Sequence, residues 1–136
     1  MAVSFVKNNS FVQYLATEDL DLDGSGLTLA LSATAINATT TSISGVAQIG
    51  YGHLSTRVVV VSTASQTAGT FKLCLTDHVL TADGTVPTWR YVALYDDAST
   101  NDRIIGTYDN GSTVSMTNND TFSFNFSSAN GVITIA

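Results

Sequence analysis

The sequence predicts an all-β fold, an antiparallel β-sandwich or jelly-roll-like barrel of about eight strands. Three observations predict it. Short runs of aromatic and β-branched residues recur at intervals of roughly 8–12 residues, each closed by Gly, Asn, Asp or Ser. No stretch reads as a helix. Charged residues make up only 12 % of the 136-residue chain, against roughly 25 % in ordinary globular chains. Serine, threonine, asparagine and glycine take their place, which suits a turn-rich β protein with a polar, uncharged surface. The length suits one domain with a real core, taken as residues 10–136. No internal repeat and no linker interrupt it.

The elements follow in order. Residues 1–9 read as a flexible N-terminal arm that could reach a neighbouring subunit. Phe11-Val12-Gln13-Tyr14-Leu15 is expected to be the first strand. An acidic segment follows, Glu18-Asp19-Leu20-Asp21-Leu22-Asp23-Gly24-Ser25-Gly26. Leu27-Thr28-Leu29-Ala30-Leu31 alternates cleanly, with three leucines on one face. Residues 32–44 are small and polar and read as a long surface loop or irregular edge strand. Residues 44–53 fit either a turn of helix or a short strand. Val58-Val59-Val60-Val61 is a continuous apolar run, the mark of a buried central strand. Phe71-Lys72-Leu73-Cys74-Leu75 alternates again, with Phe71, Leu73 and Leu75 expected inward. Val79-Leu80 is a brief strand before the Asp83-Gly84 turn.

The clearest strand starts after Pro87, where proline opens a strand without breaking a ladder. It runs Trp89-Arg90-Tyr91-Val92-Ala93-Leu94-Tyr95-Asp96-Asp97. Strict alternation puts Val92 and Leu94 on one face and Trp89, Tyr91, Ala93 and Tyr95 on the other. A strand wet on one side alternates apolar with polar. This one is apolar on both sides, which predicts a central strand covered twice. A second run, residues 104–108, ends at Asn110-Gly111, a tight-turn signal, and residues 113–116 form a short strand. The C-terminus reads as a hairpin. Phe122, Phe124 and Phe126 share one face, Asn130-Gly131 reverses the chain, and Ile133 and Ile135 join that face.

Composition excludes several classes. The formal charge of −6, with Lys7, Arg57, Lys72, Arg90 and Arg103 scattered, excludes nucleic acid as a partner, since phosphate neutralisation needs a basic patch. No stretch approaches the roughly 20 apolar residues of a membrane helix, and the N-terminus carries no signal-peptide-like run. The single Cys74 can form no internal disulfide and lacks partners for a zinc site.

Catalytic signals are weak. Asp19-x-Asp21-x-Asp23-Gly24 resembles the start of a calcium loop, but the bidentate Glu required at the twelfth position is Ala30, inside a strand. A looser calcium site from Asp19, Asp21 and Asp23 stands beside the plainer reading, a solvated acidic loop. His53 and His78 are the only histidines, and no Gly-x-Ser-x-Gly elbow accompanies them. Asp96 and Asp97 could pair as acid and base, but aspartates commonly end ladders and form turns. Trp89, Tyr91 and Tyr95 are core, an interface face or a sugar-stacking platform. Aromatics of this kind favour surfaces that become buried against a partner. The chain is expected to be no enzyme and to need no cofactor.

Tyr91-Val92-Ala93-Leu94-Tyr95-Asp96-Asp97, then Ile104-Ile105-Gly106-Thr107-Tyr108-Asp109-Asn110-Gly111-Ser112-Thr113-Val114, resembles small virion structural proteins of tailed bacteriophages. Those carry a YDD … LIG-x-YD-x-G-S-x-V stretch and a T-F-x-x-F … NGV-x-T-I ending. The ending here is Thr121-Phe122-Ser123-Phe124-Asn125-Phe126 with Asn130-Gly131-Val132-Ile133-Thr134-Ile135. Asn9-Ser10-Phe11-Val12 and Asp21-Leu22-Asp23-Gly24-Ser25-Gly26 look similar too. The resemblance implies a non-enzymatic particle component made in the host bacterial cytoplasm. Within that class it implies a capsid decoration (cement) protein on the outer surface of the head. Its partners would be the major capsid protein and further copies of itself, as a homo-oligomer and typically a trimer. Trp89, Tyr91 and Tyr95 would then be the interface residues. The alternative is a tail or fibre-associated module that recognises a host glycan or adapts tail components.

Overall fold

The computed structural model describes residues 5–126 and 129–136. Its elements are β1 (Phe5–Lys7), α1 (Phe11–Ala16), β2 (Leu27–Ser32), a 3₁₀ turn (Ile43–Gly45), β3 (Val61–Thr67), β4 (Thr70–Leu75), β5 (His78–Thr81), β6 (Val86–Asp96), β7 (Arg103–Met116), β8 (Thr121–Phe124) and β9 (Ile133–Ile135). Every strand pair is antiparallel. One sheet has the order β1-β7-β6-β2, and the facing layer is built from β3-β4-β9 and β5-β8. This is the predicted all-β sandwich. The sheets stay separate, so the barrel alternative is not realised.

The main core lies between the layers. Leu27, Leu29 and Leu31 of β2, Trp89, Val92 and Leu94 of β6, and Ile105 of β7 enter it from one side. Leu73, Leu75, Leu80 and Ile133 enter from the other. The three leucines of β2 are fully buried, as their alternation predicts. Phe122, Phe124 and Phe126 pack on the same core from its margin.

The second face of β6 answers the puzzle of a strand apolar on both sides. Ala93 and Tyr95, with Ala30 of β2 and Ile104 of β7, form a smaller core closed by Ile43 and Val46, with Ile36 packed against it. Ile36 and Ile43 come from the polar stretch that reads as a surface loop or irregular edge strand, and Val46 from the following stretch, which fits either a turn of helix or a short strand. Ile36, Ile43 and Val46 are isolated apolar residues in a run of Ala, Thr and Ser, too sparse for a periodic signal. The second cover is therefore supplied by the chain itself.

Five local expectations need correction. Residues 5–9 are not a loose arm: β1 pairs with β7, and Asn8 is buried, with its backbone N–H donating to the Ile105 carbonyl and its side-chain amide to that of Thr40. Residues 1–4 of the expected arm lie outside the described residues. Residues 11–15 are helical, because Phe11, Tyr14 and Leu15, at i, i+3 and i+4, turn to the core while Val12 faces solvent. Residues 58–61 are not a buried strand. Only Val59 is buried, and Val58 and Val60 are exposed, since the segment runs along the edge of β2 and bridges at Thr28–Val58. Asn110-Gly111 makes no hairpin. Gly111, at φ 81°, takes up a bulge inside the 14-residue β7, where the register to β6 shifts between Trp89 and Tyr91. Finally, β8 and β9 do not pair with each other: β8 pairs with β5 and β9 with β4.

Candidate functional site

The aromatic cluster expected on β6 does not form one surface. Strict alternation puts Trp89 with Tyr91, Ala93 and Tyr95. Trp89 instead enters the main core together with Val92 and Leu94, at a point where the register between β6 and β7 is irregular. Its exposure is 0 %, which removes it from any surface. Its ring meets Phe122 edge-on at 4.8 Å and stacks on Phe124 at 6.2 Å. The buried indole Nε1 has no hydrogen-bond partner among the described residues. The contacts continue from Phe124 to Phe126, then to Tyr108 and Phe5, so one chain of rings links β6, β8, β7 and β1. Burial pushes the Tyr108 hydroxyl pKa strongly upward.

Tyr95 lies in the second core and is 5 % exposed. Burial pushes its hydroxyl pKa up, and a hydrogen bond with Arg57 opposes the shift. The Arg57 guanidinium lies 3.6 Å over the Tyr51 ring and donates to the Leu29 carbonyl. The Tyr51 hydroxyl accepts from Leu31 N–H at 2.9 Å. Arg57 thus pins the crossing segment to β2, a role no motif announces. Tyr91 alone of the three expected interface residues is half-exposed, with the Arg90 guanidinium 5.2 Å over its ring. The structure does not bring Trp89, Tyr91 and Tyr95 onto one face.

The acidic segment is also dispersed. Asp19 accepts from Arg103 Nε at 2.7 Å, with both side chains only 18 % exposed. The Tyr14 ring lies 3.9 Å beneath that guanidinium, and the Tyr14 hydroxyl accepts from its Nη1. Asp19 is therefore a clasp between β7 and the segment after α1. Asp21 Oδ1 accepts from the Asp23 backbone N–H. A hydrogen bond with Asp21, reinforced by its charge, holds the Asp23 carboxyl above the usual carboxylate range. Among the described residues, no group of three or more His, Cys, Asp or Glu side chains is placed to share a metal ion.

Asp96 and Asp97 part company. Asp96 is buried, and its carboxylate accepts from the N–H groups of Asp21 and Ala98, both at 3.0 Å. Its backbone carbonyl accepts from the Ser99 hydroxyl. Asp97 is exposed, with its backbone N–H donating to the Gly26 carbonyl. Asp96 is thus a turn organiser that joins the acidic segment to the end of β6. His53 Nδ1 lies 2.9 Å from Asp83 Oδ1, and His78 Nε2 lies 2.9 Å from the Thr56 carbonyl oxygen. Neither ring is hydrogen-bonded to a described serine hydroxyl. Cys74 is buried in β4.

What faces solvent without charge is the β3–β4 hairpin and its approach. Residues 58–71 hold no charged side chain. Val60 is 63 % exposed, and residues 62–70 are exposed apart from half-buried Ala64. β3 forms the outer edge of its sheet among the described residues. It carries neither the charges nor the proline that commonly blunt an edge. The sequence held this signal, in the run of uncharged residues, but the four valines read as core. Comparison with family models, curated proteins and solved structures finds no match for this chain.

Proposed function

We propose that this chain is a non-enzymatic structural component of a tailed-phage virion, a decoration protein that binds the outer surface of the head and stabilises it. The observation that carries this reading is the resemblance in the C-terminal half, whose motif residues fall in β6, β7, β8 and β9 and in the turns that join them. In this structure those motifs serve folding: Asp96 organises the turn after β6, and Gly111 forms the bulge. The partners are the major capsid protein and further copies of this chain, as a trimer. The contact surface is the uncharged β3–β4 hairpin with Val58 and Val60. Burying exposed valine and pairing an open strand edge are favourable contacts that no like charge opposes. A protein that binds the assembled lattice in preference to free subunits stabilises the lattice by mass action.

The glycan-recognition alternative loses support, because Trp89 is enclosed and Asp19 is held by Arg103. Gold-labelled antibody against this chain, applied to intact virions, tests the proposal. Label over the heads is the expected result. Label confined to the tail overturns it in favour of a tail module. Val60→Asp should reduce head binding at least about tenfold, since it places an unpaired carboxylate in the contact.

A further inference from the structure

The chain holds two Asp-Gly pairs, Asp23-Gly24 and Asp83-Gly84, and the fold treats them differently. Aspartic acid before glycine can rearrange unaided. The glycine backbone nitrogen attacks the side-chain carboxyl carbon, and glycine is favoured because it lacks a Cβ to hinder the approach. The carboxyl reacts in its acid form, which loses water, whereas the carboxylate would have to expel oxide.

At Asp83 the fold holds both partners. Asp83 Oδ1 lies 2.9 Å from His53 Nδ1, and the Asp83 backbone N–H donates to the His53 carbonyl at 3.1 Å. The His53 ring covers Gly84 so closely that a Cβ there would stand 2.6–2.9 Å from ring atoms. Beside them Leu54 bridges Ala82, and the Asn119 N–H donates to the Ala82 carbonyl at 2.8 Å. Asp23 stands in a different setting. It is exposed, in a bend that precedes the start of β2 at Leu27, so its peptide bond to Gly24 lies outside the strands. Asp21 Oδ1 accepts the Asp23 N–H at 3.2 Å, and a Cβ at Gly24 would stand 2.9 Å from Asp21 Oδ2. One carboxyl group therefore lies against both residues of the reacting pair. Its hydrogen bond with the Asp23 carboxyl, and then its charge, favour the acid form of Asp23, the form that reacts.

We infer that Asp23-Gly24 is a site of spontaneous isomerisation in the folded protein and that His53 shields Asp83-Gly84 from the same reaction. The Gly24 nitrogen forms a bond to Asp23 Cγ and loses its proton. The bond from Cγ to the carboxyl hydroxyl breaks, and the hydroxyl leaves with that proton as water. The five-membered succinimide that results is opened by water at either carbonyl, restoring the aspartyl linkage or giving an isoaspartyl one. One water leaves and one enters, so no oxidant or reductant is needed. The isoaspartyl form adds a backbone carbon between two ties to the end of β6. These are the Asp21 N–H on the Asp96 carboxylate at 3.0 Å and the Gly26 carbonyl under the Asp97 N–H at 2.9 Å. The product therefore loosens the joint between the acidic segment and β6.

The test is incubation of the full-length protein at mildly acidic pH in heavy-oxygen water, followed by proteolysis in ordinary water and mass mapping of peptide fragments. Asp23 should take up one heavy oxygen, in a peptide that an isoaspartyl methyltransferase then labels. Asp83 should take it up about fivefold more slowly or less, the factor that an exposed ion pair can impose on a rate. In concentrated urea the two should react at similar rates. His53→Ala should speed Asp83 in the folded protein and leave Asp23 unchanged. Asp21→Asn removes the carboxyl that favours the Asp23 acid form and keeps an acceptor for the Asp23 N–H, so it should slow Asp23 and leave Asp83 unchanged. An unlabelled Asp23 overturns the inference, as does Asp83 reacting as fast as Asp23 in the folded chain.

Discussion

Asp109 shows how a single exposed carboxylate can organise a strand. The Arg90 guanidinium and the Gly111 N–H together hold its carboxyl below the usual range, at about 2. Asp120 is shifted the same way by the backbone N–H and then the hydroxyl of Thr117. Asp23 is shifted the other way by Asp21. The signs follow from linkage. A carboxylate with a depressed folded pKa adds stability that is complete above its unfolded value, about 3.9, and is lost as pH falls through the folded value. Asp109 and Asp120 therefore favour the fold at neutral pH and stop doing so in acid. Asp23 contributes oppositely: its hydrogen bond with Asp21, and then the charge of that neighbour, favour its protonated form, so its contribution is present in acid and is lost as pH rises. All three groups are exposed, so salt screens these effects. A carboxyl NMR titration should find Asp109 the most acidic of the three and Asp23 the least. Arg90→Ala should return Asp109 toward the ordinary value and leave Asp120 where it was. An Asp109 that titrates ordinarily in the native protein would remove the clamp on the β7 bulge.

At the scale of elements, legibility tracked how local the deciding interaction is. β2 and the middle of β6 were readable because alternation and burial agree in them. α1 was not, since its helical spacing spans only Phe11, Tyr14 and Leu15, and no side chain caps its start. The bulge in β7 was hidden because Asn-Gly signals a hairpin turn as readily as a left-handed kink, and only the register with β6 distinguishes them. Trp89 was misplaced because the irregular register of β6 with β7 on either side of it breaks the strict alternation. The ion pair of Asp19 with Arg103 spans 84 positions, beyond any motif. β1 was hidden for a related reason. Its three residues look like a terminus, and their anchor is Gly106 on another strand. A Cβ at Gly106 would collide with the Phe5 ring, so the missing side chain is the socket for Phe5. Gly106→Ala should therefore expel Phe5 and loosen β1, while β6 and β2 keep their pairing. Hydrogen exchange should show faster exchange in residues 5–7, and the melting temperature should fall by several degrees, as overpacking of about 1–3 kcal/mol implies. Unchanged protection of residues 5–7 would refute this account of Gly106.

Across the whole molecule, the central strand is covered on both faces from within over residues 92–95, so a partner must meet a different surface from the one the alternation pointed to. That moves attention from β6 to the uncharged outer strands, where the chain offers an open edge and exposed valine in place of repulsive charge. It also makes the facing layer, not the β6 sheet, the more vulnerable half. The β6 sheet is stitched by long ladders, whereas β9 holds the facing layer with three paired positions to β4. Ile133 is buried, and Val132 and Ile135 pack on the main core. Each such side chain contributes roughly 1.5–3 kcal/mol on full burial, and the total stability of a domain is only about 5–15 kcal/mol. Ending the chain after residue 128 removes all three, bares the edge of β4 and opens the core beside Leu73. The truncated chain should lose its cooperative thermal transition, and the emission of Trp89, the single tryptophan, should shift to longer wavelength as water reaches it. A truncated protein that melts cooperatively within a few degrees of the full chain, with unshifted emission, would show that the two layers hold together without β9.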